Sequence, residues 1–156
     1  MGHNIATVKN VGRTLEVFHC GAASPVAADG AIDNVAVTGA TINRMVAGTE
    51  GDQLNSGKLI LSYMTTLTAA KTLSFAIAYQ ESADGSSWDT AVALQTATVA
   101  ATGAVTASLG TVEYNVNLHD KKQYIRFNYT PDLSHSGTDT ATTSLVFVAG
   151  GGPIPQ

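Results

Sequence analysis

Leu73-Ser74-Phe75-Ala76-Ile77-Ala78-Tyr79-Gln80-Glu81-Ser82-Ala83-Asp84-Gly85-Ser86-Ser87-Trp88 reads as a strand followed by an abrupt turn. Leu73, Phe75, Ile77 and Tyr79 alternate with Ser74, Ala76, Ala78 and Gln80, the period of a strand with one buried face. Asp84-Gly85 beside serines then supplies a turn in which positive φ is cheap. The same signature recurs outward along the chain. Val112, Tyr114, Val116 and Leu118 face one way, and Glu113, Asn115 and Asn117 the other. Ile125, Phe127 and Tyr129 alternate with Arg126 and Asn128 in the same manner.

Eight strands are expected, over 15–20, 32–37, 58–64, 73–81, 90–99, 112–118, 123–130 and 143–149, and no helical segment. His119-Asp120-Lys121-Lys122 is a polar connection of hairpin length between two of them, so Lys121 and Lys122 are expected at an exposed hairpin tip. Residues 47–57, rich in glycine, read as a surface loop. Alternating faces of this kind are buried by packing two sheets together. The expected fold is an all-β sandwich of about eight antiparallel strands, of jelly-roll or immunoglobulin-like topology. Its domain runs over 14–149, between an N-terminal arm of 1–13 and a Gly/Pro tail of 150–156. That tail, Gly150-Gly151-Gly152-Pro153-Ile154-Pro155-Gln156, is expected to form no ladder.

The chain has 156 residues, one domain by size and enough to bury a core without metal or disulfide. Only 13% are charged, about half the usual share. Few charges leave little to blunt strand edges, which a larger assembly would cover. The net charge of −4 and the scatter of Lys and Arg argue against nucleic acid as a partner. The longest apolar run, Leu59-Ile60-Leu61, is far too short to span a bilayer. Met1-Gly2-His3-Asn4 opens neither a secretory signal nor an acylation pattern, so synthesis in a cytoplasm is expected. Cys20 is the only cysteine and is expected to be a buried, inert thiol.

Residues capable of chemistry are scattered. His3, His19, His119 and His135 lack the short regular spacing of a zinc site, and no serine stands in a Gly-x-Ser-x-Gly elbow. Asp84 and Asp89 flank a turn better than they make an acid/base pair. The same loop, or the stretch from Asp132 to Asp139, offers oxygens to a structural calcium ion, but the EF-hand pattern is broken by Gly85. No catalytic residue, cofactor or metal is expected. Trp88, the only tryptophan, caps the sandwich end; its functional alternative is a stacking platform with Tyr79 or Tyr114.

The segment from Phe75 to Trp88, with its Ser-x-Asp-Gly-Ser-x-Trp turn, resembles one met in small virion proteins of tailed bacteriophages. Tyr124-Ile125-Arg126-Phe127-Asn128-Tyr129-Thr130-Pro131 resembles a second strand of the same proteins. The resemblance spans about 58–149 and implies a head decoration, or cement, protein of β-sandwich fold. Implied with it are a place on the capsid surface, the major capsid protein as partner, and a dimer or trimer of the chain itself. The residues expected at interfaces are Trp88, Asp84, Lys121, Lys122, Pro153, Ile154 and Pro155. A carbohydrate- or receptor-binding module of a tail or fibre, and a tail-tube or terminator subunit, are the alternatives.

Overall fold

The structure, a computed structural model, describes residues 15–45, 53–103, 107–134 and 137–150, with the side chains of 22 and 23 left aside. Among them are nine strands: β1 (Leu15–Ala27), β2 (Val37–Thr38), β3 (Ile42–Asn43), β4 (Ser56–Thr66), β5 (Thr72–Ser82), β6 (Val92–Thr102), β7 (Ala107–Asn117), β8 (Tyr124–Leu133) and β9 (Thr140–Gly150). One sheet has the order β1-β9-β4-β7; the other runs β2-β8-β5-β6, with β3 also on β8. All pairings are antiparallel.

These pairings are nested. β1 meets β9, β2 and β3 meet β8, β4 meets β7, and β5 meets β6, as in a long hairpin rolled up on itself. That is the jelly-roll topology, which decides between the two sandwiches the sequence allowed.

Alternation fills the space between the sheets. Leu59, Leu61 and Tyr63 of β4 and Leu145, Phe147 and Ala149 of β9 point inward from one sheet. Leu73, Phe75, Ile77 and Tyr79 of β5 and Ile125, Phe127, Tyr129 and Leu133 of β8 do so from the other. Phe127 of one sheet packs on Phe147 of the other at 4.8 Å between ring centroids. Tyr129 reaches across to bond the Thr143 hydroxyl at 2.8 Å, so its polar tip is satisfied inside the core. Cys20 is fully buried in this core, and burial pushes its thiol up to about 12, beyond the reach of thiolate chemistry at neutral pH.

Several expectations are corrected. Residues 32–37 do not form a strand. The Asp33 carboxylate accepts from the amides of Asp29 (2.9 Å) and Leu133 (2.8 Å), and Asn34 takes φ 58°, so a turn forms there and only Val37–Thr38 pairs. The 119–122 connection is not a hairpin. β7 pairs β4 over all its 11 residues while β8 pairs β5, so the chain crosses from one sheet to the other at this point. Lys121 and Lys122 therefore lie on a crossover, and Lys121 is half-buried. Within the expected loop 47–57, Ser56 and Gly57 already belong to β4. Strands β1 and β6 run further than expected, to Ala27 and Thr102. Gly150, assigned to the tail, closes β9 and pairs with Leu15 and Ser56.

Candidate interaction surface

The up-and-down course of the strands gives the sandwich two ends. Leu15 and Gly150, where the described chain begins and stops, pair with each other at one of them. Arg44, Leu54 and the connections 83–91 and 118–123 lie at that same end, because β4 and β6 start there while β5 and β7 finish there. Asp84, Trp88, Lys121 and Lys122 come from two loops far apart in sequence and are brought together on it.

The 83–91 loop is built from its own first residues. The Asp84 carboxylate accepts from the amides of Ser86 and Ser87, both at 2.8 Å, and from the Ser82 hydroxyl at 2.9 Å. Those donors, the Ser87 amide first, hold its pKa well below the usual carboxylate range. Gly85 takes φ 76°, a conformation that a side chain resists. Asp84 is thus spent on its turn.

Around that turn runs a network the sequence did not signal. The Arg126 guanidinium lies 4.2 Å from the Trp88 ring centroid, a cation–π contact that covers one face of the indole. Arg126 Nε and Asn128 Nδ2 both donate to Gln80 Oε1 at 3.0 Å, and Gln80 Nε2 donates to the Asp89 carbonyl at 2.9 Å. The Asp89 carboxylate pairs with Lys122 Nζ at 2.7 Å, and the Lys122 amide donates to Glu81 Oε2 at 2.8 Å. Lys121 pairs with Glu81 at 3.2 Å and donates to the Tyr79 hydroxyl at 2.7 Å, and that hydrogen bond raises its pKa. Gln80 and Arg126 had read only as the polar face of strands, and Glu81 only as the last residue of one. Their roles depend on the β5–β8 pairing, which sequence periodicity does not contain.

Behind the network stands Arg44. Its Nε and Nη2 donate to the Leu54 carbonyl at 3.2 and 3.1 Å, and its Nη1 donates to the carbonyls of Lys121 and, at 3.1 Å, Lys122. One fork thereby fastens the segment before β4 at Leu54 to the 118–123 connection. Burial lowers the Arg44 pKa, with Glu81 and then Asp120 acting against that shift.

This end offers charge in fixed positions. Among the described residues no three His, Cys, Asp or Glu side chains are grouped to hold a metal ion. The stacking platform weighed for Trp88 is not assembled: Tyr79 is buried in the core, and Tyr114 lies on β7 of the other sheet. Pro153, Ile154 and Pro155 lie outside the described residues, as do the arm at 1–13 and His3 and His135.

No protein-family model matches the chain. No curated protein sequence matches it either. Solved structures do. A chain in the structure of infectious bursal disease virus Gx strain superposes with a TM-score of 0.50 at 12% identity, over 90% of this chain and 34% of that one. The infectious bursal disease virus VP2 subviral particle matches with a TM-score of 0.50 at 14% identity, over 86% of this chain and 31% of that one. Dimeric latent PorU from Porphyromonas gingivalis gives a TM-score of 0.50 at 9% identity, over 88% of this chain and 12% of its own length. The chain spans about a third of the length of the viral chains it matches. At such identities the likeness is one of fold: this is a jelly-roll β-sandwich of a kind found in viral capsid chains and in PorU alike.

Proposed function

We propose that the chain is a non-enzymatic structural protein of a tailed-phage virion, bound to the capsid exterior and stabilising it by bridging capsomers. The observation that carries this reading is the convergence of Leu15, Gly150 and the Trp88, Lys121 and Lys122 loops on one end of a jelly roll. A sandwich that presents its attachment elements together can dock by one end while the rest of the domain stands clear. The segments 1–13 and 151–156 serve as arms on this reading. Arms that order on a surface contribute wide contact at a cost in entropy, and linking them to a docked domain adds avidity. Packaged DNA pressurises a shell, so each bridge between capsomers raises the cost of separating them.

The viral capsid fold of the neighbours and the low charge of the chain agree with a part that lives in an assembly. The receptor-binding alternative loses ground because Arg126 already covers one face of Trp88. The test is co-sedimentation of purified protein with shells that lack it. Removal of 1–13, or of 151–156, is expected to weaken attachment while circular dichroism shows an intact sandwich. Full attachment by both truncations would overturn the arms, and immunogold labelling confined to tails would overturn the capsid location.

A further inference from the structure

The edges of the two sheets are treated unequally. β1 is broken by register shifts between His19 and Gly21 and between Gly21 and Ser24. β2 and β3 have two residues each. β6 carries three register shifts against β5. Bulges and short strands of this kind are how proteins stop edges from pairing with other chains. β7 has none of these devices. It pairs β4 in unbroken register from Ser56↔Asn117 to Thr66↔Ala107, contains no proline, and is, among the described residues, the last strand of its sheet. Its single charged residue, Glu113, is neutralised within the chain by Lys58 at 2.7 Å.

Apolar surface follows the same side of the molecule. Leu109 of β7 is 79% exposed beside its cross-strand partner Met64 at 50%, and Val92 and Val99 of β6 are 48% and 56% exposed. Val112 and Tyr114, inward residues of β7, are only partly covered by the core. An unblunted ladder edge bordered by apolar side chains is a surface for β-strand addition.

We propose that the free edge of β7 pairs antiparallel with β7 of a second copy of this chain, across a two-fold axis at Val112, giving one continuous sheet of eight strands, four from each copy. A second copy is the occupant because the edge is self-complementary. The register that pairs all 11 residues sets Thr111 opposite Glu113, Leu109 opposite Asn115 and Gly110 opposite Tyr114, and brings no like charges face to face. A partner chosen by charge would have nothing on this edge to read. The inference stands apart from the virion role, which a monomer bound by its end would equally satisfy.

Sedimentation velocity on the full chain at tens of micromolar tests it, with Thr111→Glu and Thr111→Lys as paired variants on the exposed face of β7. The wild type should be a dimer. Thr111→Glu places a carboxylate opposite Glu113 twice per interface and should raise the dimer dissociation constant about tenfold or more. Thr111→Lys places an opposite charge there and should keep or tighten the dimer. Circular dichroism on both variants separates dissociation from unfolding. A monomeric or trimeric wild type, a dimer indifferent to Thr111→Glu, or dissociation by both folded variants would overturn the proposal.

Discussion

Arg44 is 1% exposed, and its guanidinium donates to three main-chain carbonyls that belong to two different connections. Arg44→Ala removes all of these donors at once. The Leu54 carbonyl, in a buried residue, loses two charge-assisted bonds at a cost of about 2 kcal/mol. The Lys121 and Lys122 carbonyls are nearer solvent and recruit water, so about 0.5 kcal/mol each is the appropriate figure. Lost packing of the arginine stem adds about 1 kcal/mol. The expected destabilisation is about 4 kcal/mol, a large part of the 5–15 kcal/mol that holds a typical domain together. With a urea slope of about 2 kcal/mol/M, the unfolding midpoint should fall by about 2 M.

Circular dichroism and Trp88 emission, followed in parallel through a urea titration, make the measurement. Trp88 is the only tryptophan and stands at the end of the sandwich that Arg44 fastens. Arg44→Met sharpens the result. It restores the packing of the stem but leaves the carbonyls without donors, so about 3 kcal/mol should still be lost. In this it differs from a buried ion pair, where apolar replacement of both partners is often neutral. A midpoint shift below about 0.3 M for Arg44→Ala, or an Arg44→Met variant as stable as wild type, would refute the reasoning.

Three further outcomes are expected. The Asp84 carboxyl should titrate, by NMR, below the ordinary aspartate pKa of about 3.9, because its donors favour the ionised form. Its contribution to stability is therefore complete above the unfolded pKa and is lost as pH falls through the folded one, and an inflection at or above the ordinary value would contradict the turn geometry. Cys20 should resist an aromatic disulfide reagent at mildly alkaline pH in the native state and react fully once unfolded, whereas rapid native labelling would show the thiol to be accessible. Gly57→Ala should cost about 1–3 kcal/mol in denaturant unfolding, since a Cβ there meets the Phe147 ring and lies 2.6 Å from the Val148 carbonyl oxygen; a neutral result would mean that the ring yields freely.

The strands expected at 58–64, 73–81, 112–118, 123–130 and 143–149 coincide with β4, β5, β7, β8 and β9, because burial of one face imposes a period of two, although β7 begins five residues earlier, at Ala107. The misreadings have equally local causes. Residues 32–37 carry strand-forming valines and an isoleucine, but Asp33 and Asn34 close a turn through bonds to Asp29 and Leu133. His119 to Lys122 has the length and polarity of a hairpin, and only the claim of β4 on β7 makes it a crossover. Four of the residues expected at interfaces were legible as a tryptophan, a turn aspartate and a lysine pair. Gln80, Glu81, Asp89 and Arg126, which join them, were not, since each needs a partner from another strand or loop.

The amino-acid order by itself determined that the chain is all-β, which side chains face the core in β5, β7 and β8, that Cys20 is buried, and that Asp84 belongs to a turn. Each is a property of a few consecutive residues and their exposure to water. Tertiary structure alone decided the jelly-roll nesting, the gathering of Leu15 and Gly150 with the Trp88 and lysine loops, the burial of Arg44, and, among the described residues, the open edge of β7. Those follow from which strands pair, and pairing is settled by the joint packing of two faces contributed by residues as far apart as Leu15 and Gly150.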